Sequence, residues 1–136
     1  MKFLLMGESQ VSAVGLGTWQ FGEPGWGWGS ELDYETAIKI VHRALELGIN
    51  FFDTAELYAI MPTKDTFGKT EVIIGNWFKE RKNRDKIFLA SKIASKSTGL
   101  EWIREGKDKL RFDKKNMNEA IDASLKRLQT DYIDLY

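Results

Sequence analysis

Residues 49–58 read INFFDTAELY. A run that ends in two aromatics belongs inside a protein, yet it stops at an acid, Asp53, and a tyrosine, Tyr58, follows five residues later. INFF is too short for a helix and lacks a clean in-and-out alternation. Strands buried on both faces look like this, as they do in a parallel sheet covered by helices. Three more short runs have a similar character: VGLGTW (14–19), KIFLAS (86–91) and YIDLY (132–136), the last alternating somewhat through Asp131 and Asp134.

Between these runs the apolar spacing changes to three and four. Ala37, Ile38, Val41, Ala44 and Leu45 predict a helix from Tyr34 to Leu47, with Asp33 as N-cap and Gly48 placed to close it. A second helix, about 69–82, buries Ile73, Ile74, Trp77 and Phe78. A third follows Asp113 as cap and carries Met117, Ala120, Ile121, Ser124, Leu125 and Leu128 on one face. Ahead of them, KFLLM and QVSAV flank Gly7-Glu8-Ser9, a β-hairpin with a tight turn. The fold class is α/β: a hairpin, then β-α-β-α-β-α-β, in one domain spanning 1–136 with no internal repeat or linker. The loops 54–68 and 93–113 are longer than such connections need. Both follow the C-terminal ends of strands, where α/β folds place their ligands.

Composition narrows the function. Twenty Lys and Arg balance twenty Asp and Glu, so no bulk charge recruits nucleic acid or an anionic membrane. The absence of cysteine excludes disulfides, thiolate catalysis and Cys-ligated zinc, and fits a reducing cytoplasm. No stretch approaches the roughly 20 apolar residues of a membrane span. MKFLLMGESQ is too short in its apolar part for a signal sequence, so a soluble cytoplasmic protein without a metal is expected.

Chemistry is expected where strands end. KIFLASK ends on Lys92 as INFFD ends on Asp53, and neighbouring parallel strands would bring amine and acid together. A semi-buried ammonium needs such a partner. Tyr58 can reach back over the same rim, and a lysine cation beside it favours the phenolate and makes the hydroxyl a competent general acid. Together the three could protonate an oxygen gaining negative charge, such as a carbonyl receiving hydride. A structural ion pair with an ordinary loop aromatic beside it satisfies the same spacing. Other signals fail. GLG (15–17) has Gln20 where a dinucleotide fingerprint needs its third glycine. GKT (68–70) has Thr63 where a P-loop needs its first, and the bases between Lys107 and Lys115 are interleaved with acids.

GLGTWQFG (15–22), GWGWG (25–29), FDTAELY (52–58), GKTEVIIGNWF (68–78), FLASK (88–92) and SLKRLQTDYIDLY (124–136) together resemble the aldo-keto reductases, most closely the bacterial branch related to potassium-channel β-subunits. The resemblance implies a (β/α)₈ TIM barrel, of which this chain is the N-terminal half, and NADPH-dependent reduction of aldehydes and ketones. It implies Tyr58 as proton donor, Lys92 as the cation that activates it, Asp53 as the partner of Lys92, and Thr18 and Trp19 beside the nicotinamide and the substrate. Trp19 could equally be a packed residue filling the barrel mouth, and Gly15 and Gly17 could serve only close backbone approach. The family's catalytic histidine follows the DLY that here is 134–136, and His42, off the stripe of the first helix, is expected to face solvent. A barrel needs about 250 residues. Strands five to eight, which carry the remaining cofactor contacts, would be absent.

Three readings follow. The chain is part of an NADPH-dependent carbonyl reductase, incomplete and inactive by itself. It is a non-catalytic or truncated binding module of that family. Or it is a Schiff-base enzyme using Lys92. A half-barrel leaves its first and fourth strands as open edges, so self-association is expected. Trp26 and Trp28 could form an aromatic wall or merely pack.

Overall fold

The computed structural model of the chain describes residues 1–22, 34–96, 99–104 and 110–136. The Asp33 cap, Trp26 and Trp28, and residues 107–109 of the basic stretch lie outside the described residues.

The chain begins with an antiparallel pair, β1 (Phe3–Met6) and β2 (Ser9–Ser12), with Met6 opposite Ser9. Their turn is therefore Gly7-Glu8, with Gly7 at φ +61°, and Ser9 belongs to the strand. Every residue of β1 is exposed, whereas Val11 and Ser12 of β2 are buried. The pair is fastened to the rest by a polar seam. Ser12 N donates to Asn50 Oδ1 (2.7 Å), Asn50 N donates back to Ser12 Oγ (3.1 Å), and Asn50 Nδ2 reaches Gln10 O (2.8 Å).

Three short parallel strands form the main sheet in the order β3 (Gly15–Gly17), β4 (Phe51–Asp53), β5 (Phe88–Ala90). The register pairs Gly17 with Asp53 and Asp53 with Ala90. Helix α1 (Tyr34–Glu46) turns its Ala37-Val41-Ala44 stripe inward and ends at Gly48, whose φ of +81° lets its N–H return to Leu45 O. Helix α2 (Lys69–Arg81) buries Ile73, Ile74, Trp77 and Phe78. In the core, Phe52 of the sheet stacks on Trp77 at 6.0 Å, with Phe21, Val41, Leu89 and Leu128 around them.

Helix α3 (Lys114–Leu128) is capped by Asp113, whose carboxylate accepts from Asn116 N at 2.9 Å. Those bonds to Asn116 hold the Asp113 carboxyl below the usual carboxylate range. Its buried row is Asn116-Ala120-Ser124-Leu128, not the Met117-Ile121-Leu125 side of the expected face; Met117 is exposed. Small residues win because α3 lies close against α2. A side chain on Gly75 of α2 would run into the backbone of Arg127 and Leu128.

Two expectations need correction. YIDLY is not a regular strand: only Leu135 bridges Ala90 in parallel. The Asp134 carboxylate, held by Arg84 at 2.6 Å, takes the Leu89 N–H (2.8 Å) that a strand carbonyl would otherwise receive. His42 is half-buried, not solvent-facing, with its ring 6.0 Å from Trp77, because α2 packs along that flank of α1. No helix among the described residues is long and apolar enough to cross a membrane.

Candidate active site

The parallel register carries the ends of β4 and β5 to one rim. Asp53 is the last residue of β4, one place earlier than its sequence address beyond the strand, and Lys92 lies two residues past β5. Lys92 Nζ donates to Asp53 Oδ1 and Oδ2, both at 2.9 Å, and to Thr54 O at 2.8 Å. Each side chain is nearly half exposed, so the pair contributes at most about 1 kcal/mol to stability. Its value lies in geometry. The same ammonium stands 4.5 Å from the centre of the Tyr58 ring, within the range of a cation–π contact.

Thr18 and Trp19 join this group from the end of β3. Thr18 is fully buried, and both its N–H (3.1 Å) and its hydroxyl (2.8 Å) donate to Asp53 O. That hydroxyl proton is spent on the backbone of the site. Trp19 keeps 38% of its surface exposed, and its carbonyl accepts from Ile60 N at 3.1 Å. The loop that carries Tyr58 is thereby tied to the first parallel strand. All five residues singled out in the sequence come to one end of the sheet.

Beneath them lie two buried carboxylates that sequence patterning passed over. Glu56, with no exposed surface, accepts from Arg104 Nη2 on both oxygens at 2.8 Å and accepts the Ala94 N–H at 2.6 Å. Glu71, equally buried, accepts from Arg127 Nε (2.7 Å) and from Ser91 Oγ (2.6 Å). Glu71 had a detectable signal, since it shares a helix face with Ile74 and Phe78 at spacing three and seven. Glu56 had none beyond its place between buried alanines. Tyr136 lies in the field of both: desolvation first, then the charges of Glu56 and Glu71, push its phenol up, against the lowering effect of Arg104 and Arg127.

The model of the Aldo/keto reductase family matches residues 13–136. The Escherichia coli protein tas is 41% identical over 128 residues, covering 93% of this chain and 34% of the relative. The Bacillus subtilis aldo-keto reductase YhdN is 39% identical over 127 residues, again 93% of this chain and 34% of the relative. Among solved structures, the holo form of the aldo-keto reductase AKR11C1 from Bacillus halodurans superposes with a TM-score of 0.70 at 36% identity, over 100% of this chain and 39% of that one. The chain thus spans about a third of the length of these curated relatives. The structural likeness implies the N-terminal portion of a TIM barrel with mixed α and β content. With a match from residue 13 to residue 136, the chain belongs to the aldo/keto reductase family.

Proposed function

We propose that this segment carries the proton-donating site of an NADPH-dependent reductase of aldehydes or ketones, with Tyr58 as donor. The observation that carries the reading is the Lys92 ammonium, held by Asp53 and standing over the Tyr58 ring. Asp53 and Thr54 fix the ammonium; the ammonium steadies the negative charge left on Tyr58 as its proton passes to the substrate oxygen. When bound, NADPH supplies the hydride that reduces the carbonyl carbon. The rim fits the nicotinamide end of such a cofactor, because Trp19 is partly exposed at the end of β3, the strand next to the one that ends in the charge-paired Asp53. Thr18 would act through Asp53, whose carbonyl it holds.

The test is Tyr58→Phe in a polypeptide that carries these residues and has the length of the relatives. Turnover of NADPH with an aldehyde should nearly vanish, and retained turnover defeats the assignment. The Schiff-base alternative finds less support: the three donors of the Lys92 ammonium are occupied by Asp53 Oδ1, Asp53 Oδ2 and Thr54 O, leaving no lone pair for attack. Borohydride trapping of a carbonyl compound on Lys92 would revive it.

For the 136-residue chain by itself, the proposal is weak NADPH binding, no reductase turnover and self-association, which makes it in isolation a non-catalytic module. Support comes from its coverage of only 34% of the relatives, from the outer edge of β3, and from Phe3, Leu4, Leu5 and Met6, all exposed on β1. A monodisperse monomer with micromolar NADPH affinity in a fluorescence titration would contradict it. The lack of cysteine supports a cytoplasmic setting, and the balanced charge supports the absence of a nucleic-acid or membrane partner.

A further inference from the structure

We infer that Glu56 is the positioning residue of this site: through Arg104 and the backbone at 92–94, it fixes Tyr58 against Lys92. The inference rests on the reading of Tyr58 and Lys92 as the reacting pair, and adds a residue with no contact to substrate or cofactor. Glu56 grips the segment after β5 at two points. Its own N–H donates to Lys92 O at 3.2 Å, and its carboxylate accepts the Ala94 N–H at 2.6 Å. Those two bonds bracket Ile93 and pin the backbone immediately after Lys92 Cα, from which its side chain starts. Two residues beyond Glu56 stands Tyr58, whose N–H donates to Ala55 O, so the turn that presents the phenol is built on the residue just before Glu56. Loop and strand end are thus locked by one residue.

Arg104 completes the lock. Its side chain is only 7% exposed, and Nη2 reaches both oxygens of Glu56 at 2.8 Å. The carboxylate has three hydrogen bonds and no exposed surface, which a charge needs in order to stay inside. A buried ion pair is a poor source of stability compared with apolar packing, but it is directional. Here its direction runs from the loop after β5 to the loop after β4, the two segments whose relative placement decides the separation of Tyr58 and Lys92. A glutamine at position 56 keeps the size and the Oε1 acceptor but loses the charge and the Oε2 acceptor, so its hold on the guanidinium is weakened.

The test reads that separation without any turnover. A lysine side chain 4.5 Å from a ring centre lies in the ring current, so in a polypeptide that carries these residues and has the length of the relatives, labelled with ¹³Cε-lysine, the Lys92 signal is expected upfield of the other lysines. Lys92→Arg assigns it. Tyr58→Phe, which keeps the ring, should retain the displacement, and Tyr58→Leu should abolish it. Glu56→Gln, which loses the charge and the Oε2 contact, is expected to diminish the displacement while the Trp77 indole signal of the core stays in place. A Lys92 signal that keeps its full wild-type displacement in folded Glu56→Gln overturns the inference, as does a wild-type chain with no displaced signal. If Glu56→Gln does not fold, Arg104→Lys is read instead. It keeps the cation but loses the planar guanidinium that carries Nη2 to both oxygens, and should reduce the displacement; an unmoved signal there overturns the inference equally. Failure of the reductase reading would appear as absent carbonyl reduction in the longer polypeptide and would leave these signals untouched.

Discussion

Lys92 and Asp53 meet two-to-one, a single ammonium nitrogen 2.9 Å from each oxygen of the carboxylate, across neighbouring parallel strands. Because the pair is nearly half exposed, its two possible roles separate cleanly. If it serves proton transfer, Lys92→Met in a reductase of full family length should lower kcat by about 10²–10⁴-fold. The same change should cost no more than about 1 kcal/mol of stability. Turnover and a urea melt on one sample check this. Normal turnover with a large loss of stability would make the pair structural.

The Glu71–Arg127 pair should behave in the opposite way. Glu71 is fully buried and Arg127 nearly so. Arg127→Met leaves an uncompensated carboxylate inside, with only the Ser91 hydroxyl for support, and should cost about 3–5 kcal/mol. Adding Glu71→Gln to that variant should recover part of the loss. Urea unfolding of the single and double variants measures both, and a single-variant loss well under 1 kcal/mol would refute the reading.

Alkaline pH should weaken the fold through Tyr136. Its phenol is raised in the folded chain by burial and by the charges of Glu56 and Glu71. The unfolded phenol titrates near about 10. A group whose folded value lies higher gives a contribution that is complete below the unfolded value and is lost as pH rises above it. Stability should therefore decline above about pH 10, and Tyr136→Phe should decline less. Melting temperatures of both chains across that range decide it; parallel curves would remove Tyr136 from the account.

Gly75 reverses the ordinary helix rule. Alanine is the better helix former by about 1 kcal/mol. Here, however, a Cβ would lie 2.7–2.8 Å from Leu128 backbone atoms and closer still to the Arg127 carbonyl oxygen. Forcing α2 and α3 apart should cost about 1–3 kcal/mol net. A melt in which Gly75→Ala is neutral or stabilising would show that the two helices can separate freely.

Much of the scaffold was legible because period and burial coincide. The stripes Ala37-Val41-Ala44 and Ile73-Ile74-Trp77-Phe78 are buried as their spacing indicates, and Asp113 caps α3. Asp53 and Lys92 were legible from their shared position at strand ends, and they do meet. Four things escaped. Apolar counting favoured Met117 over Asn116, but a helix pressed against Gly75 needs its small row inward. YIDLY carries strand-like residues, yet Asp134 satisfies Leu89 with a side chain, which no periodicity reveals. The Glu56–Arg104 and Glu71–Arg127 pairs join residues far apart in sequence, and a charge reads as solvated until its distant partner is known. His42 misled for a related reason: the edge of an apolar stripe can still be covered by a neighbouring helix.

One carbonyl and one carboxylate on Asp53 connect three strands, the first through Thr18 and the third through Lys92. A slip of β4 by a single residue would turn that carboxylate to the other side of the sheet and withdraw the carbonyl from Thr18 at the same stroke. The Asp53 contacts are therefore a sensor of strand alignment. The same slip would take Phe52 off Trp77, so misthreaded molecules would show an altered aromatic spectrum even while their helices look native.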